Sequence, residues 1–381
     1  MMVNSKTPFI KRATQFLSEV LPKWKSFSFS DQMKTKNFYI CLLFIAATST
    51  SIWLLSNPSP NLHTIVTQTH KQINNIKNIP TNIRTSNEEE LKVDHVYLER
   101  LGFYDKEAKV VSSEMKETPI IGTSALPGHY EEALKFVKST QKILPQQKIL
   151  IYDLGISTTE SQQMVKFCNK TRTCSLKVFP FDKFPSHVRY LDTKSYRPLA
   201  VQETLKEYGA VIWLEPPEHF TTSKLNKVLA QAQKEGIAAW TIQEPASALI
   251  HPKMFKYFKT KQNNYFFLRA AKANQLIIYN TEKIRQDLML PWVKCALTEE
   301  CINPTGAQNF GCNYDLKPRF RYMGCHKYDM AALNVILGLM FDFSESPYEV
   351  EEEIFGVLVT EQNGNSTSPR YVTRDKLTQI S

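Results

Sequence analysis

Two acidic residues stand directly after apolar runs that read as buried strands. Asp153 follows the run KILIY, and Glu215 follows the run AVIWL. Continuous apolar runs of this length are typical of strands buried on both faces of a parallel sheet. In open α/β sheets, ligands bind in the crevice at the carboxyl ends of the strands. We therefore predict that both carboxylates face a ligand, with capping of a strand end or turn as the alternative for Asp153.

A second set of polar residues could do acid–base chemistry. His326 and Asp329 are three positions apart, so that on a helix they share one face. A paired imidazole and carboxylate can act as a general base toward a hydroxyl, or bind a metal. The alternative is a helix start with Asp329 in its first turn, where the helix dipole favours an anion. Arg197 is predicted to hold a phosphate, with a surface salt bridge as its alternative.

The elements that must position these residues alternate between strands and helices. Apolar runs predict strands at 119–125, 148–153, 176–179, 210–214 and 237–240. Helical spacing fills the intervals, with a capping box at Ser157 and Glu160, and with Pro198 and Gly209 suited to a helix start and stop. This alternation predicts an α/β fold whose mostly parallel sheet carries helices on both faces.

An apolar segment near the front of the chain predicts a membrane anchor. Residues 38–55 contain no charge, Gly or Pro, and at 1.5 Å per residue they would form about 27 Å of helix, close to the thickness of a bilayer core. Residues 1–37 carry seven basic and two acidic groups, which is half of the net charge of +10. This distribution argues against a nucleic-acid partner and predicts a cytosolic N-terminus. We expect an uncleaved signal anchor at 38–56 that spans the membrane once, the alternative being a buried soluble helix.

These segments predict five parts of the chain. They are a cytosolic tail at 1–37, the anchor at 38–56, a stem at 57–116, a lumenal domain at 117–345 and a C-terminal tail at 346–381. The stem has the composition of a plain spacer. Near its end, Leu91, Leu98 and Leu101 have a sparse helical spacing that would let this part pack on the domain or self-associate. The oligomeric state stays open.

Six cysteines follow the anchor and test the compartment. An even number in a lumenal domain favours disulfides, and fifteen pairings of six cysteines are open. Closeness in the sequence suggests the pairs Cys168 with Cys174, Cys295 with Cys301, and Cys312 with Cys325. The rival is a zinc site made of the last four cysteines and His326, which lacks the usual ligand spacing. Two sequons, at Asn169 and Asn365, are candidate glycan acceptors.

Three stretches carry a resemblance to a known family. They are IYDLG at 151–155, the set YRP, Glu203, Gly209 and WLE within 196–215, and the set CALTEECI, HKYD and LN within 295–334. Together they resemble an animal-expanded domain family of unknown function that is related to nucleotide-diphospho-sugar transferases of the GT-A fold. The resemblance covers roughly residues 129–341.

The resemblance implies a fold and a chemistry. The first half of a GT-A-like sheet would hold a nucleotide sugar at Asp153, Arg197 and Glu215, and the second half would position an acceptor near Asp329 and His326. In relatives an acidic cluster at the end of a central strand holds a divalent cation, so Glu215 is the candidate ligand of Mn²⁺ or Mg²⁺. The implied layout is that of a lumenal protein of the Golgi apparatus or endoplasmic reticulum.

The chain departs from the family pattern at two places. The family usually has an Asp, small polar residues and an Arg where this chain reads EPPEHF from Glu215, and Gln and Ser where it has Met330 and Ala331. Two functions therefore follow. One is a type II membrane glycosyltransferase that moves a sugar from a nucleotide donor to a glycan or protein hydroxyl. The other is a catalytically inactive relative that uses the cleft as a lectin-like or partner-binding module.

Overall fold

The computed structural model describes residues 91–104, 118–363 and 366–372, together with Leu43, Ala46, Thr48 and Ser49. Those four single residues are helical and lie within the predicted anchor, while the rest of the anchor, the cytosolic tail, Asn365 and most of the stem lie outside the described residues. Within the described part of the chain, no helix has the length and apolar character needed to span a membrane. The chain divides into two compact units, Met1–Asn87 and Glu88–Ser381, and the second holds every element named below.

The main sheet has six strands in the order β3-β2-β1-β4-β7-β6. Their bounds are β1 Ile120–Ala125, β2 Ile149–Asp153, β3 Cys174–Val178, β4 Ala210–Leu214, β6 Ile237–Pro245 and β7 Arg269–Tyr279. Strands β1 to β4 pair in parallel, whereas β7 runs antiparallel to both β4 and β6. The prediction of a mixed, mostly parallel sheet is confirmed. Strand β7 was absent from the prediction because its first seven residues, RAAKANQ, contain no large apolar side chain.

Helices cover both faces of this sheet. Their bounds are α1 His95–Arg100, α2 Tyr130–Ile143, α3 Thr158–Thr171, α4 Tyr196–Tyr208, α5 Asn226–Glu235, α6 Met254–Tyr257, α7 Leu290–Leu297, α8 Glu299–Ile302 and α9 Tyr328–Met340. Apolar residues of α2, α3 and α5 share one core cluster, and those of α4, α7 and α9 share another. Alternate side chains of the sheet strands contribute to each cluster, as expected for a sheet buried on both sides.

The helix boundaries follow local signals in the sequence. Ser157 and Glu160 form the predicted capping box at the start of α3. Helix α4 ends at Gly209, whose φ of 81° lies in the left-handed region that glycine adopts without steric cost. These two signals fix the start of α3, just after β2, and the end of α4, just before β4.

The short helix α1 packs on the domain. Leu98 and Leu101 are buried in the same cluster as α4, and the Gln202 amide donates a hydrogen bond of 3.0 Å to the Leu101 carbonyl. This end of the predicted stem was expected either to pack on the domain or to self-associate. In the structure it packs on the domain.

The chain after residue 345 also contributes to the core. Tyr348, Val350 and Ile354 are buried. A second sheet of three strands follows the order β5-β8-β9, with bounds β5 Glu218–Phe220, β8 Phe355–Asn363 and β9 Ser366–Val372. The compact domain therefore extends past the predicted boundary, because these apolar residues cover the β5 and β6 region.

Candidate functional site

Arg197 lies at the centre of the polar residues that the fold brings together. It occupies the first turn of α4, just before Pro198, and only 5% of the residue is exposed. Its Nε donates to Glu215 Oε1 at 3.0 Å, and its Nη2 donates to Glu215 Oε2 at 2.6 Å. The third nitrogen of the guanidinium, Nη1, donates a hydrogen bond to Asp329 Oδ2. The guanidinium is thus held on two sides by carboxylates.

Glu215 follows β4 directly, as predicted, but its carboxylate turns into the protein. The residue is 5% exposed. Besides Arg197, the indole Nε1 of Trp213 donates to Oε1 at 3.1 Å, and the Tyr196 hydroxyl lies 3.5 Å from the same oxygen. Burial alone would raise the pKa of this carboxyl, but the charge and hydrogen bonds of Arg197 outweigh it and hold the pKa below its usual value.

Asp329 comes from the first turn of α9 and is 2% exposed. The Trp292 indole donates to its backbone carbonyl at 2.9 Å, which fixes the turn against α7. Burial raises the pKa of the Asp329 carboxyl to about 6; attraction by Arg197 opposes this rise and repulsion by Glu215 adds to it. The predicted first-turn position is therefore correct, and the side chain serves a buried ion triad.

The arrangement does not fit a metal ion at Glu215. Both of its oxygens already accept hydrogen bonds from Arg197, and a cation would have to displace a buried guanidinium. No group of three His, Cys, Asp or Glu residues suited to a metal occurs in the part of the chain that the structure describes. The candidate role of Glu215 as a Mn²⁺ or Mg²⁺ ligand is thus corrected to that of an ion-pair partner.

His326 is not part of this triad, which corrects the predicted helical pairing with Asp329. Helix α9 begins only at Tyr328, so His326 precedes it. The ring is buried, with Nδ1 accepting a hydrogen bond of 3.0 Å from the His251 amide and Nε2 lying 3.1 Å from the Ile302 carbonyl. Burial lowers the pKa of this imidazole to about 3. Because both nitrogens are occupied by backbone groups, the ring joins the loop at His251 to the end of α8 and is not placed as a base.

Asp153 caps the turn that follows β2. Its Oδ1 accepts hydrogen bonds from the amides of Gly155 at 2.8 Å and Ile156 at 3.0 Å. This is the alternative that the sequence left open for Asp153. A carboxylate oxygen that accepts two local amides stabilises the strand end and leaves the other oxygen, Oδ2, for further contacts.

Lys194, which was not predicted as a site residue, lies beside Tyr196 and acts electrostatically on the triad. It follows the short 3-10 turn Leu191–Thr193, has a φ of 54°, and is half-buried. Its Nζ lies 5.8 Å from the centre of the Tyr196 ring, and its charge lowers the pKa of both Glu215 and Asp329. A lysine three residues before a buried arginine is a weak signal, since only the fold brings both cations to the end of β4.

Glu218, the second acidic residue of the EPPE segment, lies at a different pocket. Glu218 lines a pocket of about 300 Å³ between β6, β7 and the 349–355 segment. His219, where the resemblance led us to expect a cation, is buried with its Nδ1 2.7 Å from the Ser139 hydroxyl. Burial lowers the pKa of His219, so it does not replace a fixed positive charge.

The cysteines form three disulfides in the pairing that sequence closeness suggested: Cys168–Cys174, Cys295–Cys301 and Cys312–Cys325. The zinc alternative is therefore wrong. Asn169 is exposed in the last turn of α3, while Asn365 lies outside the described residues.

Comparison with known proteins places part of the chain in a family context. Residues 62–202 match the model of a family described as a protein of unknown function, DUF1647. The predicted resemblance to a domain family of unknown function is thus confirmed, over a range that begins before the predicted one and ends in the middle of α4. No curated protein matches the sequence.

Several solved glycosyltransferases are among the structures to which the chain is similar. They include the WbbM bifunctional glycosyltransferase (10% identity, 52% of this chain and 39% of that chain, TM-score 0.33). Core-mannan synthase A from Aspergillus fumigatus, in a Mn/GDP form, matches at 8% identity over 61% of this chain and 73% of that chain, with a TM-score of 0.36. Mouse xyloside xylosyltransferase 1 matches at 10% identity over 59% and 82%, with a TM-score of 0.35. The chain thus spans well under half of WbbM, and likenesses at these scores carry no argument about activity.

Proposed function

We propose that this chain is a glycosyltransferase-like protein that binds a nucleotide sugar at the carboxyl edge of its main sheet and transfers the sugar to a glycan or protein hydroxyl. The observation that carries the proposal is the strand order. The chain winds from β1 outward through β2 to β3 and then returns to β4 on the other side of β1. Such a reversal opens a crevice at the carboxyl ends of the two central strands, where α/β proteins bind nucleotides.

Lys194 is the residue best suited to the donor diphosphate. It is half-buried, and the two carboxylates on which its charge acts are already neutralised in part by Arg197. A fixed ammonium can balance the charge that develops on a leaving diphosphate without a metal. In this proposal Arg197, Glu215 and Asp329 are positioning residues, because their ion triad ties α4 and α9 to the end of β4.

The proposed setting is the lumen of the Golgi apparatus or endoplasmic reticulum, behind the anchor at 38–56. Three disulfides support an oxidising compartment. Asn169 would then carry a glycan. In cells, Asn169→Gln should remove a glycosidase-sensitive increase in mass, with Asn263→Gln as a control outside any sequon. A full-length chain without any glycan and with freely reactive thiols would contradict the lumenal placement.

The donor site is tested by titrating the purified full-length chain with a panel of nucleotide sugars, with and without Mn²⁺. We expect one nucleotide sugar to raise the melting temperature to the same extent in both conditions. Lys194→Gln should weaken that binding about tenfold, a typical value for one charge-assisted contact of about 1.4 kcal/mol. The matched control is Lys142→Gln, since Lys142 is exposed at the far end of α2. Unchanged binding in Lys194→Gln would remove Lys194 from the site.

A second function, a non-catalytic lectin-like or partner-binding module, is favoured by a specific observation. The groups predicted for catalysis, Asp329 and His326, are buried and hydrogen-bonded to protein groups. No response to any nucleotide sugar, with or without Mn²⁺, would leave this second function as the one that the site supports.

A further inference from the structure

A loop closed by the Cys312–Cys325 disulfide forms a second concave site at the carboxyl end of β6. The site is a pocket of about 220 Å³ lined by Gln243, Glu244, Pro245, Tyr314, Arg319 and Met323. A backbone hydrogen bond from the Met323 amide to the Ala248 carbonyl fixes the loop to the domain, and one from the Asn313 amide to the Met323 carbonyl closes the loop on itself. Because β6 runs parallel to β4, this pocket opens at the same edge of the sheet as the proposed donor crevice.

A cluster of aromatic rings includes Phe320, the neighbour in sequence of the pocket residue Arg319. Phe266 and Phe320 stack with their ring centres 4.2 Å apart, and the Phe267 ring lies 6.4 Å from that of Phe320. Phe267 is 88% exposed and Tyr314 is 53% exposed. Exposure of several aromatic rings to water is unfavourable, and these rings offer flat apolar faces on which a ligand can pack.

The same loop is strongly basic. Lys317, Arg319 and Arg321 are exposed at alternate positions, and Asp315 is the one acidic residue between 303 and 328. Among the described residues, neither Lys317 nor Arg319 forms an ion pair. The segment 253–261 adds four lysines and no acidic residue. Ser247 joins the end of this segment to the loop. The side-chain amide of Gln262 donates to the Ser247 carbonyl, and the Ser247 hydroxyl donates to the Phe320 carbonyl.

We propose that this surface, made of the Cys312–Cys325 loop and Phe266–Phe267, binds an acidic saccharide. The C–H face of a pyranose ring would pack on Phe267 and Phe320, and a carboxylate or sulfate group would accept hydrogen bonds from Arg319. In the pocket, Glu244 can accept hydrogen bonds from sugar hydroxyls, and Gln243 can both accept from them and donate to them. Flat aromatic faces beside a small polar pocket match the C–H face and the hydroxyls of a sugar ring, and for this reason we favour a saccharide over a lipid surface.

In the proposed transfer reaction this ligand would be the acceptor, and to that extent the inference rests on the proposed function. Binding of the saccharide needs no donor, however. It is therefore measured without any nucleotide sugar, so that a failure here leaves the donor titration unaffected and a failure of that titration leaves this one unaffected.

The test uses the full-length chain and titration calorimetry with a heparin hexasaccharide as the probe. A neutral hexasaccharide, poly-aspartate and vesicles containing phosphatidylserine are the comparison ligands. We expect binding of the heparin fragment that weakens with salt, and no binding of the neutral fragment. Lys317→Gln with Arg319→Gln should weaken heparin binding at least tenfold. Lys135→Gln with Lys166→Gln, which removes the same charge from exposed sites on α2 and α3, should weaken it less than twofold.

Phe267→Ala separates a saccharide site from a merely basic surface. Because the ring is almost fully exposed, this variant should fold as the parent does. It is expected to weaken heparin binding at least fivefold and to leave poly-aspartate binding unchanged. The proposal is overturned if the heparin fragment does not bind, if the loop and control variants lose equal affinity, or if Phe267→Ala has no effect. Tighter binding to the vesicles than to the heparin fragment, with the same dependence on the loop, would replace it with a membrane surface.

Discussion

Arg197 and Glu215 are joined by two parallel hydrogen bonds, of 3.0 Å from Nε and 2.6 Å from Nη2, inside a core where each residue is 5% exposed. Bidentate pairs of this kind are among the strongest charge-assisted contacts in proteins. Asp329 shares the same guanidinium, so the triad holds two negative charges against one positive charge. The triad therefore stabilises the end of β4 only while the arginine is present.

Arg197→Met should lower the free energy of unfolding by about 3–5 kcal/mol, because it leaves two carboxylates buried without their cation. Urea denaturation of the purified chain measures the loss. Arg189→Met, at an exposed site, is the control and should cost less than about 1 kcal/mol. The triple variant that adds Glu215→Gln and Asp329→Asn should recover part of the stability. A single variant as stable as the parent would show that the triad is not formed.

Asp329 should make stability depend on pH. Its folded pKa of about 6 lies above the ordinary value of 3.8, so the folded protein binds more protons than the unfolded chain between these two values. The stabilisation that Asp329 gives to the folded state is fully present below about pH 4 and is lost as the pH rises through about 6. The stability of the parent relative to Asp329→Asn should fall over that interval and stay constant above it. Urea denaturation of both proteins across the interval checks the sign, and an opposite slope would refute the raised pKa.

His326 should change the pH dependence of stability in the opposite direction to Asp329. Its folded pKa of about 3 lies below the ordinary value of 6.5, so its stabilisation is present above about pH 6.5 and is lost as the pH falls. The parent should lose stability relative to His326→Gln by up to about 1.4 kcal/mol for each pH unit below 6.5. Thermal unfolding of the two proteins at pH 7.5 and at about pH 5 measures this difference. An NMR titration of the ring with a midpoint near 6.5 would contradict the buried, neutral assignment.

Neither Mn²⁺ nor a chelator should change the stability of the protein when no nucleotide sugar is bound. Glu215 already accepts hydrogen bonds from Arg197 and Trp213 on the oxygens that a cation would need. We expect the same melting temperature with Mn²⁺, with Mg²⁺ and with EDTA. Calorimetry that detects Mn²⁺ binding abolished by Glu215→Gln would restore the cation site implied by the family resemblance.

The disulfides should differ in their effect according to loop length. Closing a loop with a separation of 6 residues is worth about 2 kcal/mol, and one of 13 residues about 3 kcal/mol, on the chain-entropy estimate. Removing Cys312–Cys325 by a double Ala substitution should therefore cost more stability than removing Cys168–Cys174. It should also weaken binding of the acidic saccharide, since it frees the loop that carries Arg319. Equal saccharide affinity in both double variants would separate the loop from that site.

Much of the fold could be predicted because its signals are local. Apolar runs gave the parallel strands, the capping box gave the start of α3, and spacing gave the three disulfide pairs. The antiparallel strand β7 could not be predicted, since its small and polar first half acquires its strand conformation only by pairing with β4 and β6. The placement of Tyr348 and Ile354 in the core likewise depends on contacts far along the chain.

By itself, the amino-acid sequence determined which chemical groups end at the carboxyl edge of the sheet: an acid after β2, an acid after β4, and a cation at the start of α4. Only the tertiary structure decided what those groups face. Whether a carboxylate binds a ligand or an arginine depends on which side chains burial brings within about 3 Å, and that distance joins residues 18 and 132 positions apart. In this protein, burial pairs Glu215 and Asp329 with Arg197, and it leaves Lys194 half-buried as the cation that we propose for the donor diphosphate.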